Sequence, residues 1–204
     1  MDLTQLTQNE WLETDGLGGF ASGTVSGIRT RRYHALLLTA TKPPAGRLVL
    51  VNGFDAAVET ANGSSALSSQ RYPADIMHPD GARRIVEFKS EPWPKWTFAL
   101  DDGSKVEQGI FLVNGASIVA LSWRLVNSTA KATLIVRPFL SGRDYHLMHH
   151  ENPAFQFHPE IDGKRLIWRP YPGVPGIVAL HNGSYHHQPE GYRNFVYAQE
   201  RERG

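Results

Sequence analysis

Residues 15–40 read DGLGGFASGTVSGIRTRRYHALLLTA, and what this stretch becomes decides the fold. Within it, residues 16–21, GLGGFA, satisfy the G-x-G-x-x-A form of a dinucleotide-binding fingerprint. That motif works only between a buried parallel strand and a helix whose N-terminus carries the pyrophosphate. TQNEWLETD, which precedes Gly16, is too polar for a strand covered on both faces. SGTVSG, which follows Ala21, puts two glycines and two β-branched residues where a first helical turn should stand. No G-K-[ST] triplet supplies a phosphate-binding lysine. The stretch therefore reads as a glycine-rich turn leading into strands at 24–29 and 32–39, its glycines allowing bulges or close backbone approach. Arg29, Arg31, Arg32, Tyr33 and His34 remain to be accounted for. A guanidinium, a phenol and an imidazole in one short run are polar tools for gripping hydroxyls or carboxylates.

Outward from this stretch the chain keeps the same character. Eight Asx-Gly pairs punctuate it, at 15–16, 52–53, 62–63, 80–81, 102–103, 114–115, 162–163 and 182–183. Such pairs suit the tight turns that join antiparallel strands, because Asn and Asp tolerate positive φ and Gly takes it freely. Between them the apolar residues alternate. Trp96, Phe98 and Leu100 share one face of a strand, as do Val119, Leu121, Trp123 and Leu125, and Ala132, Leu134 and Val136. No window of a dozen residues carries a 3.6-residue period, and 13 prolines and 19 glycines interrupt the chain. These signals predict a mainly β protein of roughly a dozen or more antiparallel strands in two packed layers, with little helix. Residues 59–73, ETANGSSALSSQRYP, read as a surface loop with one short strand. QERERG at 199–204 is charged and reads as the cut end of a longer chain without a core-forming element.

With 204 residues the chain is expected to be a single domain, able to bury about 70% of its unfolded surface. Lys plus Arg number 21 against 20 Asp plus Glu, a balance that argues against a nucleic-acid partner. The absence of cysteine excludes disulfides, thiolate catalysis and Cys-based zinc sites, and it fits a reducing compartment. MDLTQLTQNEW has neither the basic nor the apolar region of a signal peptide, and no stretch approaches 18 apolar residues. The expectation is a cytoplasmic protein with no membrane partner.

Catalytic constellations are weak. His146, His149 and His150 have the spacing of one helical face, but no helix is predicted there, and two histidines on a strand face are too few for zinc. His186 and His187 sit in a loop and read as solvated. Glycoside hydrolysis needs two carboxyl groups about 5–10 Å apart. No spacing links any two of Asp15, Asp75, Glu87, Asp144 and Glu151, and there is no G-x-S-x-G elbow. Neither a catalytic residue nor a metal or cofactor is assigned. Trp93 stands apart. Pro92 and Pro94 hold it extended, where it would either stack on a sugar ring or pack in the core or an interface.

Several blocks together resemble one family. EWLETDGLGGFASGTVSGIRTRRYHALLL, PPAGRLVLV (43–51), EPWPKWTF (91–98), LIVRPFLSGRDYHLM (134–148) and YRNFVYAQERERG (192–204) look like the N-terminal domain of bacterial and archaeal glycogen debranching enzymes of the amylo-α-1,6-glucosidase type. The chain departs from that pattern mildly at Asp15, often Asn there, and at Ala35, often Gly. The resemblance implies a β-supersandwich and an (α/α)6 catalytic domain after residue 204 that carries both catalytic carboxylates. It implies glycogen or maltodextrin as the glucan. It also implies that Gly18, Gly19, Arg31, Arg32, Tyr33, His34, Trp93, Asp144, Tyr145 and His146 bind substrate or form the domain interface. The 16–34 and 143–146 segments are expected to form one end of the domain, with Arg31, Arg32, Tyr33 and His34 near Asp144, Tyr145 and His146 and at least one Arg–Asp ion pair among them; the alternative is that the two clusters sit at opposite ends and each pairs locally. A free-standing carbohydrate-binding module and a structural or assembly module stay open as alternatives.

Overall fold

The computed structural model describes residues 2–127 and 131–203. It is 48% strand and 9% helix, against the usual third of residues in helix. The strands are β1 (Glu10–Thr14), β2 (Phe20–Thr24), β3 (Ala35–Lys42), β4 (Ala45–Thr60), β5 (Gly63–Ala66), β6 (Ser69–Tyr72), β7 (Ile76–Asp80), β8 (Ile85–Lys89), β9 (Lys95–Ala99), β10 (Lys105–Leu112), β11 (Val119–Val126), β12 (Thr133–Asp144), β13 (Glu160–Asp162), β14 (Arg165–Trp168) and β15 (Ile177–Leu180). Short helices α1 (Leu3–Gln8) and α2 (Ala198–Glu202) stand near the ends.

All pairings are antiparallel. A six-stranded sheet runs β1-β2-β3-β4-β12, with β5 added beside β4, and a four-stranded sheet runs β11-β10-β9-β8. These are the two main layers. The indole N–H of Trp96 in the second donates to the Val25 carbonyl just beyond β2 at 2.8 Å. Trp11 meets Trp96 edge-on, and Phe54 meets Trp123 edge-on, with ring centroids 5.5 Å apart in each pair. Leu36, Leu50 and Val58 from one layer and Trp96, Phe98, Val106 and Ile110 from the other belong to one core cluster. Each such side chain contributes roughly 1.5–3 kcal/mol on burial. A three-stranded sheet, β13-β14-β15, adds Leu166, Trp168 and Ile177 to the same core. A two-stranded sheet, β6-β7, completes the set.

The Asx-Gly pairs divide by context. Those at 62–63, 102–103, 114–115 and 162–163 sit at hairpin turns, with the glycine at positive φ in each. Asn52-Gly53 instead lies inside β4, where Gly53 faces Phe139 and Val51 faces Leu140, so Asn52 is the extra residue of a bulge. Strands were expected at 24–29 and 32–39, and the structure shifts both. Val25–Gly27 turns, closed by Gly27 N–H to the Thr24 carbonyl, and Arg31–His34 turns, closed by His34 N–H to the Arg31 carbonyl. Residues 59–73 are not a surface loop. They hold the end of β4, all of β5 and β6, and buried Ser65, Leu67, Ser68, Ser69 and Gln70, because Ser68 and Gln70 both donate to Asp55 and so satisfy their polar groups inside.

Candidate functional site

The turn before β3 is closed by a buried imidazole. His34 Nδ1 accepts from Thr30 N–H at 3.1 Å, so Nε2 carries the proton, 3.3 Å from Glu10 Oε1 on β1. Arg31 Nε donates to the same carboxylate oxygen at 2.7 Å. Burial drives the His34 pKa down to about 4 against the pull of Glu10, which leaves the ring neutral at pH 7. For Glu10, burial pushes upward but its hydrogen bonds to Arg31 and His34 and the Arg31 charge prevail, and its pKa lies below the ordinary value.

Arg143 organises the opposite segment. The β4–β12 register shifts between Leu140 and Arg143, and this irregularity turns the Arg143 side chain inward toward the Asn52 bulge. Its guanidinium donates to the Arg32 carbonyl, to Asn52 Oδ1 at 3.2 Å and to the Leu147 carbonyl at 2.8 Å. Longer bonds reach the Asp144 and Tyr145 carbonyls. One planar fork thus ties the turn after β12 to the turn before β3. Tyr145 packs on Ala35, Leu38 and Val49, a separate cluster away from the shared core. Its ring lies 5.7 Å from that of Tyr33. Tyr33 Oη meets His146 Nδ1 at 3.2 Å, and Arg32 Nη1 donates to the His146 carbonyl at 2.8 Å. The two clusters therefore form one aromatic and polar patch.

The expected Arg–Asp ion pair is not part of it. Asp144 accepts from His146 N–H at 2.8 Å and caps its own turn. Arg31 pairs with Glu10, and Arg32 pairs with Glu200 at 2.7 Å. Each arginine takes the carboxylate that the fold brings nearest, and a carboxylate already holding a turn is not free to swing. The charged end of the chain is likewise anchored. Helix α2 docks through Glu200, Gln199 N–H donates to the Thr30 carbonyl, and Val196 N–H to the Arg71 carbonyl.

The glycines and Trp93 lie elsewhere. Residues 16–34 are not one loop, because β2 runs through them, so Gly18 and Gly19 sit at the start of β2 and Arg31–His34 precede β3, at the other end of that strand pair. Gly18 packs against Pro44 of the β3–β4 hairpin, and a Cβ on Gly19 would collide with the Asp15 carboxylate and lie 2.7 Å from the Leu38 carbonyl. The fully buried Asp15 holds this loop through Leu17 N–H and Gly19 N–H at 2.8 and 2.9 Å. Trp93 lies in the connection between β8 and β9 of the four-stranded sheet, beside Phe111.

Sequence reasoning missed Arg143, Glu10 and Glu200. It also missed the role of Arg29, whose buried guanidinium donates to Gln70 and lies 5.1 and 4.8 Å from the ring centres of Phe139 and Phe195. RDYH was in view, but a buried arginine serving carbonyls leaves no local signature. Among the described residues no three His, Asp or Glu side chains form a group able to hold a metal ion, and no helix is long and apolar enough to cross a membrane.

A family model described as glycogen debranching enzyme N terminal matches residues 9–204. No curated protein and no solved structure gave a match.

Proposed function

Because the chain belongs to the glycogen debranching enzyme N-terminal family, we propose that it serves as the non-catalytic domain of a cytoplasmic α-1,6-glucosidase acting on glycogen or maltodextrin branch points. In this reading it packs on an (α/α)6 catalytic domain of the same protein and helps shape the glucan pocket. The observation that carries the reading is the assembled patch of Arg32, Tyr33, Tyr145 and His146, positioned by Arg143 and exposed along its rim. Its phenol, imidazole and guanidinium suit sugar hydroxyls and loop carboxylates.

The same patch supports a non-catalytic role. A glycosidic general acid needs a raised pKa. Burial pushes Glu200 up, but its hydrogen bonds to Arg32 hold it below the ordinary range, and Glu10 is lowered as well. Asp144 is committed to its turn. The patch thus offers groups that orient a sugar, while its carboxylates are engaged in ion pairs or turn closure.

The test is made in the enzyme that carries this domain. His146→Ala and Tyr33→Phe should lower turnover of a limit dextrin while the 204-residue chain keeps its thermal unfolding midpoint, and the isolated chain should release no glucose. Unchanged turnover in both variants, or glucose release by the pure chain, would overturn the reading.

A further inference from the structure

The outer face of the four-stranded sheet carries a feature that this patch does not use. Trp93 and Phe111 are 37% and 38% exposed, with ring centroids 5.5 Å apart. Trp93 is held rather than loose. The next residue, Pro94, is fully buried, and its carbonyl accepts from Ile110 N–H at 3.0 Å. Below the indole the floor is cut away. The indole lies over Gly109, where a Cβ would touch Trp93 Nε1 at 3.4 Å and crowd Ser122 Oγ at 2.9 Å, so the missing side chain leaves the ring a flat, close seat on the sheet. In cross-strand register Gly109 faces Lys95 and Ser122, Phe111 faces Ala120, and Glu107 faces Arg124, which places all of them on one side of the sheet.

The chemistry around this aromatic pair is rich in donors. Arg124 is bound to Glu107 and Lys89 to Glu87, which neutralises those two cations and leaves Lys95 as a donor without a carboxylate partner among the described residues. Lys95 Nζ lies 5.6 Å from the Trp93 ring centre. Trp11, Trp96 and Trp123 donate their indole N–H groups to protein acceptors, whereas Trp93 does not among the described residues. A flat apolar surface with an unused donor and flanking hydroxyl and charged groups matches the two sides of a pyranose, C–H on its face and O–H on its rim.

We propose that Trp93 and Phe111 form an auxiliary α-glucan site on the outer face of this sheet, separate from the Tyr33–His146 patch. The ligand class rests on the glucan-acting enzyme read above; the location rests on the Trp93 geometry alone. Because the ring is fixed before the ligand arrives, little ordering opposes binding, and such a site would hold the polymer while branch points are processed elsewhere.

The experiment is affinity electrophoresis of the 204-residue chain in native gels cast with glycogen, with maltoheptaose and cellohexaose as competitors. Wild type should be retarded and maltoheptaose, not cellohexaose, should release it. Trp93→Ala should weaken the apparent affinity at least tenfold and Phe111→Ala several-fold, whereas Leu180→Ala, an exposed apolar residue on β15 of another sheet, should leave it unchanged. If Trp93→Ala melts early, Ser122→Tyr, which fills the floor from an exposed position, should give the same loss. Absent retardation of wild type, equal retardation of Trp93→Ala and Ser122→Tyr, or equal release by cellohexaose would overturn the site. Loss confined to Tyr33→Ala would also overturn it, while moving glucan binding to the other face and leaving the proposed function intact. A Trp93→Ala variant that binds no glucan less well but loses its grip on the catalytic domain would make this face a protein interface and end the proposal.

Discussion

Arg32 and Glu200, 168 residues apart in sequence, form the link that closes the domain: the guanidinium meets the carboxylate at 2.7 Å, and the Arg32 backbone N–H donates to its other oxygen at 3.1 Å. Three bonds from one short segment thus seat helix α2 against the turn that presents Tyr33. A group whose folded pKa is depressed stabilises above its unfolded value and loses that contribution as pH falls through the folded value. The Glu200 pKa is lowered from 4.5, so the link should release below about pH 4.5. Hydrogen exchange at Gln199 N–H should accelerate there, and Glu200→Gln should show the fast exchange already at pH 7. Equal protection in the variant would remove this role.

His34 should give the domain a second, higher pH dependence. Its pKa falls from 6.5 unfolded to about 4 folded, so between those values the unfolded chain binds more protons. Stability is then complete above pH 6.5 and declines by a few kcal/mol as pH drops toward 4. His34→Asn keeps an acceptor for Thr30 N–H and has no proton to gain. Its stability, lower at pH 7, should lose most of that slope in urea titrations at pH 5, 6 and 7.

Arg143→Lys should be costly although it preserves charge. A lysine ammonium cannot span Arg32, Asn52 and Leu147 at once, and carbonyls left without donors inside cost about 1–3 kcal/mol each. A loss of roughly 2–4 kcal/mol is expected, together with loss of the upfield or downfield ring-current shifts that Tyr33 and Tyr145 impose on each other in proton NMR.

Asp15 offers a change in the opposite direction. Its Oδ1 holds the glycine loop, but Oδ2 is buried with no hydrogen-bond partner among the described residues. Asp15→Asn keeps the first role and removes an idle buried anionic oxygen, so it should stabilise by about 1–2 kcal/mol. Gly19→Ala drives a methyl into the Asp15 carboxylate and the Leu38 carbonyl and should destabilise by about 1–3 kcal/mol. Thermal melts of the two variants should shift in opposite directions.

Strand content and strand faces were legible because they depend on neighbours in sequence. Alternation put Trp96, Phe98 and Leu100 on one face, and all three are buried. The polar runs at 31–34 and 144–146 were visible as a compositional pair, and the structure brings them into contact. Bulge and turn were not separable, since Asn52-Gly53 and Asn62-Gly63 share the same local chemistry. Only the strand paired alongside decides that the first continues β4 and the second ends it.

What the sequence by itself determined is the class of structure, an antiparallel β protein turned by Asx-Gly pairs, because period-two burial and positive-φ turns are local requirements. Only the tertiary structure decided which charges meet. Arg32 could have met Asp144 or Glu200, and a Coulomb partner is chosen by distance through space, which falls off within a few ångströms and is unrelated to separation along the chain. Arg143 shows the same limit from the other side: its value lies in five acceptors contributed by residues 32, 52, 144, 145 and 147, and that convergence exists only once two irregular strands have paired.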